Sequence, residues 1–249
     1  MSDSYSSLAP FYDRLNGGTD YDAICTFVRE LFESEQKPIR SVLDLACGTG
    51  NLTVPLARAG YDMTGIDLSE EMLSLAQSKA DGLPILFVKQ NMVSFELYGT
   101  VDAVICCLDS LNYLLKKEEL ERTFAHVKNY LEPGGLFVFD VNTPYRLEQV
   151  YGRQDFVLEE EGILCTWRND YNERTRICTF YLSLFEEQTD GSYLRSDEEQ
   201  KERAYAFSTF KKLIGDNGME LVSVYGAYDR SPVTEDSEKW CFVCRRTAE

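Results

Sequence analysis

Residues Val42 to Thr53 read V-L-D-L-A-C-G-T-G-N-L-T, an apolar run that enters a Gly-x-Gly turn and leaves it as a helical pattern. Glycines at positions 48 and 50 let the backbone bend sharply and approach a ligand that a Cβ would exclude. The helix that follows offers unpaired N–H donors in its first turn. Nineteen residues beyond Gly48, a second apolar run, M-T-G-I-D, ends in Asp67. An acid at that spacing stands where the two hydroxyls of a ribose need an acceptor pair. The chemistry written into this stretch is capture of a nucleotide-like ligand, and the two features together are far more specific than either alone.

Other reactive residue types are better read as packing. His126, the single histidine, falls inside the helical run 118–131, away from any strand end, and receives no role. Most of the eight cysteines lie in apolar runs, such as V-I-C-C-L (Cys106, Cys107) and W-C-F-V-C (Cys241, Cys244). A thiol there behaves as a small hydrophobe, so reduced, buried thiols are expected. The Cys241–Cys244 pair lacks a second ligand pair for zinc and its members would face opposite ways on a strand, so no metal is predicted.

The elements that must position this chemistry follow from the hydrophobic period. Ile24, Phe27, Val28, Leu31 and Phe32 have helical spacing and form a preface ending near Pro38. From Ser41 to Asp140 short apolar runs alternate with amphipathic stretches, which predicts a parallel sheet covered by helices on both faces. Ser69 stands before E-E-M-L as an N-cap, and Pro133-Gly134-Gly135 closes a helix ending at Leu131. Between Tyr145 and Arg203 the period changes to two, with turns at 171–174 and 189–192, predicting an antiparallel meander. Asp197-Glu198-Glu199 reads as a short solvated turn. A helix from Phe207 to Gly218 and two strands, E-L-V-S-V-Y-G and K-W-C-F-V-C-R-R, then form an edge hairpin.

In order along the chain stand D-L-A-C-G-T-G, the strand-end Asp67, Q-N-M at Gln90 to Met92, a strand ending near Asp109, and L-E-P-G-G-L-F before the next strand. With these five signals the segment from Ser41 to about Asp140 resembles the class I S-adenosylmethionine-dependent methyltransferases. The resemblance implies an α/β fold class: a doubly wound, seven-stranded, mostly parallel sheet in the order 3-2-1-4-5-7-6, with an antiparallel β insert between strand 5 and the last helix. It divides the chain into a cofactor-binding domain, 1–144 with 204–249, and an insert, 145–203, that overhangs the strand ends as a substrate lid. It implies S-adenosyl-L-methionine as cofactor, with the Gly48 and Gly50 backbone on the methionine part, Asp67 on the ribose, and Asn91 and Met92 flanking the adenine. Asn91 stands where many relatives carry Asp, and its side-chain oxygen can accept the same bond. Asp44, Ala46, Leu68 and Leu108 complete the implied cofactor set.

Within that family, L-A-P-F-Y-D-R-L near the N-terminus and C-L-D-S-L-N-Y-L after strand four are similar to glycine N-methyltransferase-like enzymes of small molecules. The preface would then close over the cofactor and bring Tyr12, with Tyr5 as a second candidate, near the sulfonium. An aromatic ring there offers a cation–π attraction of roughly 0.5 to 2 kcal/mol. Asp109 and Tyr145 are the candidate catalytic residues, with Asn142 beside them, because strand ends carry them toward the methyl group. Asp109 has a second reading as the cap of the turn that follows. In the insert Trp167, Arg168, Tyr171, Arg176 and Tyr181 are candidates for the acceptor. D-V-N-T-P-Y (Asp140 to Tyr145) is superficially similar to a motif of DNA amino-group methylation, yet it follows strand five and not strand four.

Composition narrows the partners. Against 25 Lys and Arg stand 42 Asp and Glu, a net charge of −17, and no basic cluster offsets it. Such a field repels polyanions, so nucleic acid and anionic membrane are not expected. No apolar stretch reaches the roughly 18 residues that span a bilayer, and a cytoplasmic location is predicted. The reading is methyl transfer to a small-molecule acceptor with release of S-adenosylhomocysteine, by a monomer or homodimer. Two other classes share the turn: a non-catalytic cofactor-binding module, and an NAD-dependent oxidoreductase. The latter wants Gly or Ala three residues past Gly50, where this chain has Thr53.

Overall fold

A computed structural model describes residues 9–248; Tyr5 lies outside them. The preface is two helices. α1 (Tyr12–Leu15) is one turn long, and α2 (Tyr21–Glu33) is capped by Asp20, whose side chain accepts the Ala23 N–H at 2.9 Å. α2 buries Ile24, Phe27, Val28, Leu31 and Phe32, the residues whose spacing predicted it.

The chain then alternates as β1 (Ser41–Leu45), α3 (Thr53–Arg58), β2 (Asp62–Asp67), α4 (Glu70–Ala80), β3 (Leu86–Lys89), β4 (Val101–Cys106), α5 (Lys117–Tyr130) and β5 (Leu131–Asn142). After the insert come α6 (Phe207–Asp216), β10 (Met219–Tyr225) and β11 (Lys239–Arg246). β1 to β5 are parallel where they pair, and β11 runs antiparallel between β5 and β10. The sheet order is β3-β2-β1-β4-β5-β11-β10, the class I methyltransferase order. Alternate residues along the strands feed two cores, one toward α5 and α6 and one toward α2 and α3. All eight cysteines are buried and free, and Cys241 and Cys244 fall in opposite cores.

One boundary differs from the reading of the sequence. α5 ends at Tyr130 and β5 begins at once, because Leu131 already pairs with Val101; Gly134 (φ +79°) lies in an irregular stretch before regular pairing resumes at Leu136 with Ala103. The Pro-Gly-Gly segment therefore belongs to the strand and does not close the helix.

The insert opens with helical turns (146–153) and continues as an antiparallel sheet of β6 (Phe156–Glu160), β7 (Ile163–Asn172), β8 (Ile177–Glu187) and β9 (Tyr193–Arg203). Asp197-Glu198-Glu199 is the middle of β9, paired with Ser183, Leu182 and Tyr181 of β8, and not a solvated turn. Alternation on this edge strand exposes Asp197 and Glu199 while burying Gln200 and Glu202. Ile163, Cys165, Leu182 and Leu184 pack on Phe11, Tyr12 and Leu15, so α1 is held between the two sheets.

Candidate functional site

The carboxyl ends of β1, β2 and β4 meet at a cavity of about 620 Å³. Ligands of open α/β sheets bind at this edge. Its wall includes Tyr12, Asp44, Ala46, Gly48, Asp67, Leu68, Asn91, Met92 and Leu108, nine of the ten residues assigned to the cofactor from sequence. The tenth, Gly50, is not in the wall. The two turn glycines do different work. A Cβ on Gly48 would meet nothing within 4 Å, so that position faces open space. A Cβ on Gly50 would lie 3.0 Å from Ala76 Cβ, so Gly50 (φ +77°) lets α4 pack against the turn.

Asp67 Oδ2 accepts the Gly48 N–H and Oδ1 the Ser69 N–H, both at 2.9 Å, which fixes the carboxylate at the helix entry. Burial raises its pKa, and those backbone donors work against the rise. Asp44 is 2% exposed and accepts from the Thr53 hydroxyl at 2.5 Å. Burial, with the Asp67 charge added, pushes its pKa up to about 7 despite that bond.

α1 is latched over this edge by a network absent from any local motif. Asp13 Oδ1 accepts from Thr49 at 2.6 Å and Asn51 at 2.8 Å, and Oδ2 pairs with Lys79 Nζ at 2.5 Å. Burial opposes ionisation of Asp13, but Lys79, Thr49 and Asn51 together hold its carboxyl below the usual range. The latch places Tyr12 in the cavity wall, where burial pushes its phenol far up, so the hydroxyl keeps its proton.

A second cavity, about 490 Å³, lies under the insert and shares Tyr12, Leu108, Tyr113 and Gln200 with the first. Leu108 (φ +59°) and Asp109 (φ +53°) form the seam in left-handed conformation, which costs a non-glycine residue about 1 to 2 kcal/mol. Asp140, wholly buried on β5, holds them there. Its Oδ1 accepts the Leu108 N–H at 2.5 Å and its Oδ2 the Asp109 N–H at 3.2 Å, while Tyr228 and Lys239 bond to the same carboxylate. Burial alone would lower the Lys239 pKa, but Asp140 and Asp109 raise it and keep the amine charged.

The structure brings Asp109 to the second cavity; its side chain makes no capping bond to the turn that follows. Tyr145 is 38% exposed and lines neither cavity, since the chain bends into the helical turn there. Of the insert candidates only Trp167 is in the wall. Arg168 alternates to the outer face, over the Tyr181 ring.

Glu202, Arg146, Tyr151, Tyr228 and Lys239 also line this cavity and were not found from the sequence. Glu202 is the most telling: it is 3% exposed, accepts from Asn142 Nδ2 at 2.7 Å, and sits in a run of acids that reads as solvent-facing. Only the period of two, carried through that run, marks it as inward.

Comparison with known proteins agrees with this geometry. Residues 42–135 match the family model described as a methyltransferase domain. A putative methyltransferase of Geobacillus sp. (strain WCH70) is 32% identical over 98% of this chain and all of its own length. The crystal structure of an S-adenosylmethionine-dependent methyltransferase from Clostridium acetobutylicum superposes with a TM-score of 0.89 at 31% identity, covering 98% of this chain and 99% of that one. A dTDP-3-amino-3,4,6-trideoxy-alpha-D-glucopyranose N,N-dimethyltransferase of Streptomyces venezuelae is 35% identical over 51% of this chain and 52% of its own length.

Proposed function

The chain belongs to the S-adenosylmethionine-dependent methyltransferases, and from that premise we propose that it transfers the methyl group to a small-molecule acceptor held in the second cavity. The observation that carries this is the pair of cavities joined at Tyr12, Leu108, Tyr113 and Gln200. At about 490 Å³ the second has the size of a small-molecule site and is roofed by the insert, 145–203, acting as lid. The Streptomyces relative, whose name assigns it an amino sugar, supports an acceptor of that scale. Eight free buried thiols suit a reducing compartment, so we place the protein in the cytoplasm.

The donor's fit is supported by an open face at Gly48, a fixed carboxylate at Asp67, and a cavity of about 620 Å³ whose wall includes Leu68, Asn91 and Met92. In this reading Gly48 and Ala46 adjoin the methionine part, Asp67 holds the ribose hydroxyls and Asn91 the adenine. S-adenosylmethionine supplies an already activated methyl group, so the chain's contribution is alignment and exclusion of water. Tyr12 closes the donor side, and the Leu108–Asp109 seam sets the approach of the acceptor. No described helix is long and apolar enough to cross a membrane.

The test is release of S-adenosylhomocysteine when the protein and donor meet a cell extract split by size. Activity is expected with the small-molecule fraction; activity confined to the macromolecular fraction would overturn the reading. Asp67→Ala should weaken donor binding by about 1 to 3 kcal/mol in calorimetry, through loss of charge-assisted hydrogen bonds. Unchanged affinity would place the ribose elsewhere.

A further inference from the structure

Four carboxylates line the second cavity. Asp20 is spent on capping α2, and Asp229 accepts the Ser231 N–H at 2.9 Å. Asp109 and Glu202 remain, and they face each other closely enough for their carboxyl groups to share a hydrogen bond. Both cations in the wall are engaged. Lys239 is bound to Asp140 and pairs with Asp109 Oδ1 at 3.5 Å; Arg146 donates to the Tyr151 hydroxyl at 2.6 Å and lies 3.7 Å from Glu238. Behind the pair, the Asn142 amide that donates to Glu202 is 2% exposed and leaves its own oxygen without a partner. The opposite wall is aromatic: Tyr151, Trp167 and Phe180 meet with centroids 5.3 to 5.5 Å apart. Two facing carboxyls and ring faces attract a cation, and Trp167 Nε1 and Arg146 Nε of the same wall are buried donors with no hydrogen-bond partner in the protein.

Resting on the reading of this cavity as the acceptor site, we propose that the acceptor is an amine, drawn from solution as an ammonium ion by Asp109 and Glu202, with Glu202 taking the proton that nitrogen must shed. An ammonium nitrogen has no lone pair and cannot attack a methyl group, so a base at the site is a requirement of the chemistry. The groups facing Glu202 are Asp109 from the end of β4, Asn142 of β5, Arg146 and Tyr151 of the helical turns and Cys178 of β8. Burial and the Asp109 charge raise Glu202 well above an ordinary carboxyl, with Asn142 and Arg146 opposing, which favours a protonated Glu202 at rest. Uptake of the ammonium ion releases that proton to solvent. Glu202 then receives a proton from nitrogen, the lone pair forms the N–C bond as the S–C bond breaks, and the electrons of that bond stay on sulfur. The product leaves as a methylated ammonium ion beside neutral S-adenosylhomocysteine, and Glu202 is again protonated, as at rest. One proton is released per turnover, so charge balances.

The test uses the whole chain with S-adenosylmethionine and a panel of primary amines, each matched to its alcohol, among them glucosamine with glucose and benzylamine with benzyl alcohol. Release of S-adenosylhomocysteine is expected with amines at least tenfold above their alcohols in kcat/KM. Glu202→Gln, which still offers Asn142 an oxygen, should lose at least a hundredfold in kcat while its melting temperature and S-adenosylhomocysteine affinity hold. Glu202→Asp should recover part of the rate and shift the acidic limb of the pH profile. Failure of S-adenosylhomocysteine to bind overturns the donor assignment and this proposal with it. If it binds, turnover of alcohols equal to amines, no turnover of any amine, or full activity in Glu202→Gln overturns the amine assignment alone.

Discussion

Asp44, buried, and Asp67, half-buried, are acids at the ends of adjacent strands, and their partners give them different chemistry. Asp67 is held by two backbone N–H groups, Asp44 by one hydroxyl. Asp44 is therefore the costlier one to ionise, with its pKa pushed up by burial, and next by Asp67, to about 7. A carboxyl whose folded pKa lies above its unfolded one binds its proton more tightly when folded. That contribution to stability is complete below about pH 4, the unfolded value, and is lost as pH rises to about 7. Asp44→Asn should flatten the fall in stability of the ligand-free protein across this window, read from urea midpoints at successive pH values. An unchanged slope would assign the titration to another group. The motif made Asp44, Gly48 and Asp67 legible because a strand, a turn and the next strand end fix them within 24 residues of one another. It could not reveal that Gly50 serves Ala76, because that contact depends on how α4 packs.

At the scale of elements, hydrophobic period and caps were sufficient for α2, α4 and the strands of both sheets, since each signal is local. What failed was local as well. The acids of β9 read as solvated until their pairing with β8 assigns alternate ones inward, and Tyr145 reads as a strand-end residue although the chain has already turned. The latch on α1 was illegible for a different reason: Asp13, Thr49, Asn51 and Lys79 come from three separate segments. A four-residue helix has too little internal bonding to persist alone, so its placement depends on such contacts. Asp13→Ala should speed donor release several-fold in stopped-flow measurements. Its carboxylate is 40% exposed, so global stability should change by less than about 1 kcal/mol. Release at the wild-type rate would show that the packing of Phe11, Tyr12 and Leu15 on the insert is sufficient by itself.

Across the whole molecule, the question is how a sheet of β6 to β9 stays registered over a cavity formed by the other sheet. The connection is narrow and polar. Asn112, wholly buried, donates to the carbonyls of Asn142, where the insert departs, and Arg203, where it returns, each at 3.0 Å, and accepts the Asn142 N–H at 2.9 Å. One side chain thus ties both ends of the insert to the turn after β4 that carries Asp109. Removing it strands one donor and two carbonyls in the interior, which should cost about 3 kcal/mol. Because the lost bonds join elements instead of completing one, Asn112→Ala should loosen the end of β5 and the amides of β9 together. Hydrogen exchange would show this as parallel loss of protection at 139–142 and 198–203, with β1 and β2 unaffected. Loosening confined to the turn at 110–113 would mean the insert is held by its apolar contacts with α1 alone. The lid would then be able to move independently of the Leu108–Asp109 seam. Coupled loosening would instead make the seam, the roof and the returning strand one mechanical unit, so that a change in the acceptor wall also displaces Asp109.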